Sequence, residues 1–285
     1  MEKTIEAAVP TLQPMTEGEL ETYKLHRRFD RMGRLVGDSK MKRLMDSHVM
    51  VIGLGGVGSW TAESLARSGI GKITVVDFDE ICITNFNRQI HALNGLVGSQ
   101  KADVMADRLQ KINPGAKIRG IAKFYNADHC AEIFQDRPDY VVDAIDNITA
   151  KCHLINYCKS QNIPIVVSTG SGGRMDPAQI KVADLAQTTI DPLARSVRKV
   201  LRDKHGFPPE ENLPWGIPAI YSIEPYTEPA ELHYDGGKGF RCVCPQGDNP
   251  YFQCDNRNLI LGNASFVTGT FGLMAASVVV RELLK

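Results

Sequence analysis

Residues 48–58 read HVMVIGLGGVG and residues 59–69 follow as SWTAESLARSG. His48 to Ile52 is a short apolar run stopped by glycines, as a strand buried on both faces is. The next stretch has amphipathic helical spacing and ends at Gly69. Strand, glycine turn and helix in that order turn backbone N–H groups toward whatever sits at the helix N-terminus, a geometry suited to phosphate. Gly53, Gly55 and Gly58 satisfy G-x-G-x-x-G, with Gly56 inside the same turn. The pattern suits a nucleotide, NAD or FAD included, and also a tight structural turn.

Working outward, Lys72–Asp77 (KITVVD) predicts a second strand and Gln100–Ile112 (QKADVMADRLQKI) a helix stopped by Asn113-Pro114-Gly115. KIRGIAKF at 117–124, YVVDAID at 140–146, a helix through 151–159 and IPIVVSTG at 163–170 continue the alternation. This predicts an α/β fold with a doubly wound, Rossmann-like, mostly parallel sheet. After Gly173 the rhythm changes. QIKVADL reads as a strand, DPLARSVRKVLRDKHG as a basic helix, and the Pro- and Gly-rich stretch 207–250 as loops and short strands over a site. The expected organisation is an arm with short helices at 1–47, a Rossmann-like core at 48–173, and a loop-rich, substrate-binding part of the same domain with a terminal helix at 174–285.

The 285 residues suit one large domain, and 33 basic against 33 acidic residues exclude a broad basic surface while leaving room for a local patch. Seven cysteines and an N-terminus, MEKTIEAAVP, without the build of a secretory signal predict a cytoplasmic chain whose thiols are free, catalytic or metal-bound. The one long apolar run, 259–284, is broken by Gly262, Asn263, Ser265 and Thr268, and predicts a buried helix rather than a membrane span.

The segment after the second strand narrows the chemistry. Asp77 ends that strand, where an acid can hold a ribose hydroxyl, and Asp79 lies two residues on. Asn85, Asn87 and Arg88 offer amides and a planar guanidinium to phosphate oxygens, and Lys101 adds a point charge at the start of the following helix. Asp146, at the end of YVVDAID, suits a magnesium ion beside a triphosphate. Singly, Asp146 can be a helix cap, Lys101 a solvated face and Arg88 a surface ion pair. Together they suit the neutralisation of a triphosphate and of a transferring α-phosphoryl group. An NAD(P)-dependent oxidoreductase has no evident use for them.

With these residues in view, the chain resembles the superfamily of sulfur-carrier adenylating and ubiquitin-activating enzymes from about 28 to 169, on GLGGVGS, VVDFDEICITNFNRQ, Lys101 and DAIDN. The resemblance implies binding of ATP and Mg2+ and formation of an acyl-adenylate from a carboxylate. It implies Gly53, Gly55, Gly56 and Gly58 as phosphate loop, Asp77 as ribose ligand, Asn87, Arg88 and Lys101 as phosphate set, and Asp146 as magnesium ligand. It also implies a homodimer in which an arginine of an R-[YF]-x-R motif enters the mate's site. Here Arg28-Phe29-Asp30-Arg31 makes Arg31 the candidate, with Arg34 its rival.

The tRNA threonylcarbamoyladenosine dehydratase branch is resembled more closely, through RQIHAL at 88–93, VGSQKADVMADRLQKINP at 97–114, TGSGGRMDPAQIKVADLAQT at 169–188, DPLA at 191–194 and ASFVTGTFG at 264–272. That resemblance implies activation of a threonyl carboxylate on tRNA, ring closure by the adjacent ureido group, and loss of AMP. Arg195, Arg198, Lys199 and Arg202 are the expected tRNA contacts, a solvated face being their ordinary reading. The alternative within the same chemistry is an adenylyltransferase acting on the Gly-Gly end of a sulfur carrier. The C-x-x-C pairs that hold zinc in many relatives are missing here. Cys242, Cys244 and Cys254 offer a zinc site instead, free thiols being the plainer reading. Cys254 lies where the branch keeps a mobile cysteine, a candidate catalytic thiol that an intramolecular second step does not need. A monovalent cation and a sulfur-relay protein remain open.

Overall fold

A computed structural model describes residues 16–18, 20, 27–210, 213–233 and 261–285. Two short helices, α1 (Asp30–Val36) and α2 (Asp38–Asp46), lead into β1 (His48–Ile52). There follow α3 (Gly58–Arg67), β2 (Lys72–Val76), α4 (Lys101–Ile112), β3 (Lys117–Ile121), α5 (Ala127–Ile133) and β4 (Tyr140–Asp143). After these come α6 (Ile148–Ser160), β5 (Ile165–Ser168), β6 (Ile180–Asp184), α7 (Pro192–His205), β7 (Pro218–Ser222) and α8 (Ser265–Leu283).

All seven strands form one sheet in the order β3-β2-β1-β4-β5-β7-β6. Every pairing is parallel except β6 with β7. Alternation along β1 divides the core. Val49 and Val51 face the layer of α1–α4 and α8, which brings in Met41, Leu65, Met105 and Phe271. Met50 and Ile52 face the layer of α5–α7, which brings in Ile133, Leu154, Val197 and Leu201. Both faces are therefore covered, which is why the strands read as continuous apolar runs.

Three differences from the sequence reading have local causes. The strand in YVVDAID stops at Asp143, leaving Ala144–Asp146 as a loop beyond the sheet. Helix α5 is not predicted from the sequence because its seven residues carry too few apolar positions to show a period. The Pro- and Gly-rich stretch expected to form loops and short strands over a site contributes β7, a full member of the sheet between β5 and β6. Its proline stands at the first residue, where the missing N–H is tolerated.

Helix α8 is long and apolar enough to cross a membrane by length and composition. Its Val267, Phe271, Ala275, Val279 and Leu283 are instead buried against the sheet and α3. Gly272 makes that closeness workable, since a Cβ there would lie 2.5 Å from the carbonyl oxygen of Val57.

Candidate nucleotide site

The chain runs outward from β1 to β2 and β3, then returns to β4 on the other side of β1, so the switch point lies between β1 and β4. Crevices in open α/β sheets form there, outside the carboxyl ends of the strands. The glycine turn occupies this place. Gly53 has φ +92, and a Cβ on it would lie 2.6 Å from the Ala144 carbonyl oxygen. Gly58 meets Gly53 in the same way, while a Cβ at Gly55 would enter open space, the side on which a phosphate can approach the backbone.

Asp77 braces this turn. Its Oδ2 accepts the Leu54 N–H at 2.6 Å and its Oδ1 accepts the Asp79 N–H at 2.9 Å. Burial raises its pKa above the ordinary carboxylate value, against the pull of Lys101. The acid expected to hold a ribose thus orients the glycine turn, both of its oxygens accepting backbone N–H groups.

Lys101 is buried, not solvated, and its Nζ lies 2.8 Å from Asp79 Oδ2. Burial works to lower its pKa, but Asp77 and Asp79 outweigh that and hold it above the ordinary lysine value, so it is a fixed cation. The backbone closes the same neck. The Lys101 N–H donates to the Asp79 carbonyl at 3.0 Å, and the Ile81 N–H donates to that of Ser99 at 2.9 Å. Residues 81–99 form a loop pinched shut at the mouth of the site.

Within that loop Asn85 is buried, and its Oδ1 accepts the Cys82 N–H at 3.0 Å, closing a 3-10 turn. Asn87 Nδ2 donates to the Asn263 carbonyl at 2.9 Å, while its Oδ1 accepts from Arg88 Nη1 at 3.0 Å. Arg88 Nη1 also donates to the Thr84 carbonyl at 2.9 Å, and the Arg88 carbonyl accepts the indole N–H of Trp60 on α3 at 3.0 Å. The loop is therefore tied to the phosphate-turn helix and to the approach to α8.

Asp146 is exposed beyond β4, with no hydrogen bond or ion pair among the described residues. It is not a helix cap, because Asn147 does that work for α6 by accepting the Ala150 N–H at 3.0 Å. Beneath it, Asp143 and Lys151 form a fully buried pair 2.8 Å apart. The approach is close but not aligned as a hydrogen bond. Burial, opposed by Lys151, raises the Asp143 pKa. Lys151 is a buried cation that the sequence reading misses. Its signal is a lysine three and four residues before Leu154 and Ile155, on the core face of the helix.

Arg31 is not brought to this chain's own site. Arg28 donates to the carbonyl of Ile112 at 3.2 Å, at the far end of the helix that Lys101 opens, about 16 Å along its axis. Arg34 is tied to Asp30 at 2.9 Å, whereas Arg31 is exposed with no hydrogen bond or salt bridge among the described residues. On α7, Arg195 and Lys199 are exposed. Arg198 donates to Thr188 Oγ1, and Arg202 lies over the Trp215 ring at 5.5 Å. Cys242, Cys244 and Cys254 lie outside the described residues. A cavity of about 820 Å³ opens at the opposite, amino end of the strands, between Ser47, Tyr140, Pro218 and Leu283, and includes none of the nucleotide set.

Residues 29–285 match the model of the ThiF family. The chain belongs to that family. A tRNA threonylcarbamoyladenosine dehydratase of Haemophilus influenzae is 39% identical over 258 residues, 90% of this chain and 94% of that protein. The solved structure of Escherichia coli tRNA N6-threonylcarbamoyladenosine dehydratase in complex with ATP superposes with a TM-score of 0.77 at 38% identity, covering 90% of this chain and 94% of that one. Its AMP complex gives 0.76 with the same identity and coverage. Among ThiF-family members these comparisons favour the dehydratase over the sulfur-carrier and oxidoreductase readings.

Proposed function

We infer that this ThiF-family chain uses ATP to dehydrate threonylcarbamoyladenosine in tRNA. The observation that carries the reading is the match, over nine-tenths of both chains, to a dehydratase solved with ATP. A carboxylate oxygen of the threonyl group attacks the α-phosphorus, the bond to the β-phosphate oxygen breaks, and pyrophosphate leaves. The ureido group then loses a proton and closes on the acyl carbon, and AMP departs with the oxygen. Because the nucleophile of the second step is already on the substrate, proximity does most of its work.

The chain's own groups have distinct tasks. The turn of Gly53, Gly55, Gly56 and Gly58, braced by Asp77, holds phosphate through backbone N–H groups. Arg88 and Lys101 offset charge on the phosphoryl group. Asp146 fits a magnesium ion, being an exposed carboxylate without a partner among the described residues, and magnesium is held by one or two carboxylates plus substrate phosphates. When bound, magnesium neutralises triphosphate charge.

The working unit is a homodimer whose mate supplies Arg31. The anchoring of nearby Arg28 at the far end of the helix that Lys101 opens supports this, as does exposed apolar surface at Phe86, Leu93, Phe266 and Leu273. Exposed Arg195 and Lys199 on α7 meet the tRNA backbone, and tRNA places the enzyme in the cytoplasm. The test is mass spectrometry of nucleosides after incubating purified protein, ATP, Mg2+ and tRNA bearing threonylcarbamoyladenosine. ATP-dependent loss of one water from that nucleoside is the expected result. No loss, with ATP–pyrophosphate exchange only on adding a Gly-Gly-ended carrier, would transfer the assignment to the sulfur-carrier reading.

A further inference from the structure

Arg174 and Asp191 form a second buried charge pair, between the turn at 169–173 beyond β5 and the start of α7. Their side chains are 2% and 1% exposed, yet Arg174 Nη2 stands 3.9 Å from Asp191 Oδ2, beyond hydrogen-bond length. Arg174 Nε, Asp191 Oδ2 and the nearby Thr169 Oγ1 have no hydrogen-bond partner among the described residues. Buried polar groups are almost always paired, and a donor and an acceptor both left unspent in one ion pair are costly. A native arrangement that keeps such a cost points to a task.

The wiring shows the task. The two oxygens of Asp191 divide between two elements. Oδ1 caps α7 by accepting the Ala194 N–H at 2.7 Å, while Oδ2 faces Arg174 and lies 3.0 Å from where a Cβ on Gly170 would stand. Arg174 Nη1 donates to the Gly172 carbonyl at 3.3 Å. The Gly173 N–H donates to the Gly262 carbonyl at 2.8 Å, and the neighbouring Asn263 carbonyl takes the amide of Asn87, beside Arg88. Apart from the 3.9 Å gap, contacts thus run from the cap of the basic helix, through the turn, to the loop that carries Asn87 and Arg88.

We propose that the Arg174–Asp191 pair is the joint through which RNA docked on α7 sets the turn at 169–173 and, through Asn263 and Asn87, the phosphate loop, with Arg174 a positioning residue for the RNA-dependent step. The inference rests on the dehydratase reading and names the regulation of that site. RNA that pulls on α7 closes the 3.9 Å gap, and the unspent Nε and Oδ2 are the groups that gain a bond.

Asp191→Asn is the discriminating variant, because asparagine keeps the helix cap and the volume but removes the charge. Arg174→Gln and Arg174→Lys accompany it. Single-turnover dehydration at saturating ATP and tRNA should fall at least tenfold in Asp191→Asn and Arg174→Gln. ATP affinity without RNA and RNA affinity should stay near the parent values, the thermal midpoint should fall because each charge-removing variant leaves one buried charge unpaired, and Arg174→Lys should recover part of the rate. In the parent, RNA should tighten ATP binding severalfold, and the two charge-removing variants should lose that tightening. Unchanged single-turnover rates, absence of RNA–ATP coupling in the parent, or failure of both charge-removing variants to fold would each overturn the proposal. A parent that binds ATP but yields no dehydrated nucleoside would overturn the dehydratase reading itself, a result separate from an active parent with unaffected variants.

Discussion

Lys101 Nζ lies 2.8 Å from Asp79 Oδ2 at the neck of the 81–99 loop, and the amine is buried while the carboxylate is partly exposed. The pair closes the loop and keeps a cation beside the phosphate turn. Replacing Lys101 by Met leaves Asp77 and Asp79 facing each other without their counter-charge. The variant should lose about 1–3 kcal/mol of stability in urea unfolding, less than a fully buried pair because Asp79 is solvated. It should also lose ATP-dependent turnover at least a hundredfold. Turnover within a few fold of the parent would remove Lys101 from the phosphate set.

Asp146 makes the opposite case. It is exposed and unpaired among the described residues, so Asp146→Ala should change stability by no more than about 0.5 kcal/mol. ATP turnover should nevertheless fall by a factor on the order of 100 to 1,000. Calorimetric titration of nucleotide with and without Mg2+ should show the metal dependence disappearing in the variant. A metal dependence equal to the parent's would refute the magnesium role.

Gly272 on α8 faces the Val57 carbonyl and the Cβ of Trp60 at distances that no real side chain tolerates. Gly272→Ala must push α8 off α3, at about 1–3 kcal/mol by chemical denaturation. Because Val57 lies within the glycine turn, ATP affinity should weaken in the same variant. An alanine variant as stable as the parent would show that the two helices can move apart freely.

His91 supplies a pH signature. It is buried with neither ring nitrogen hydrogen-bonded among the described residues. Burial, then the charges of Lys101 and Arg108, push its pKa down to about 3. In the unfolded chain it titrates near the ordinary value of about 6.5. Between these values the unfolded state binds the extra proton, so this contribution is fully present above pH 6.5 and is lost as pH falls toward 3. His91→Leu should flatten the stability-versus-pH slope in that window by up to about 1.4 kcal/mol per pH unit. An unaltered slope would mean that the imidazole is already hydrated in the folded state.

The four expected RNA contacts on α7 should separate into two classes. Arg195→Glu with Lys199→Glu should weaken tRNA binding and reduce the salt slope by about 1–2, with ATP affinity kept. Arg202→Ala should chiefly cost stability, because its guanidinium covers Trp215 and its Nε reaches the Pro208 carbonyl. Equal effects of the two variants on RNA affinity would erase the distinction.

What the sequence discloses is local. Gly53 can be read as the turn because a φ of +92 against the Ala144 carbonyl leaves room for no other residue, and Asp77 is found one strand later. The burial of Lys101 is not legible, because its partner lies 22 residues away and meets it only when the loop neck closes. Lys151 hides for the same reason, a charge on an apolar face whose acid sits on the preceding strand. Strand β7 is masked by a flanking sequence rich in turn residues, while its pairing depends on β5 and β6. Arg174 and Asp191 lie in stretches that the resemblance marks, but only the fold brings their charges together.

The contact between Gly272 and Val57 gives the order of assembly a direction. A chain leaving the ribosome presents its glycine turn at residues 53–58 long before α8, at Ser265–Leu283, emerges to press on it. Until that helix arrives, the turn lacks the packing on Val57 and Trp60 that Gly272 provides, so its final shape waits on a partner made much later.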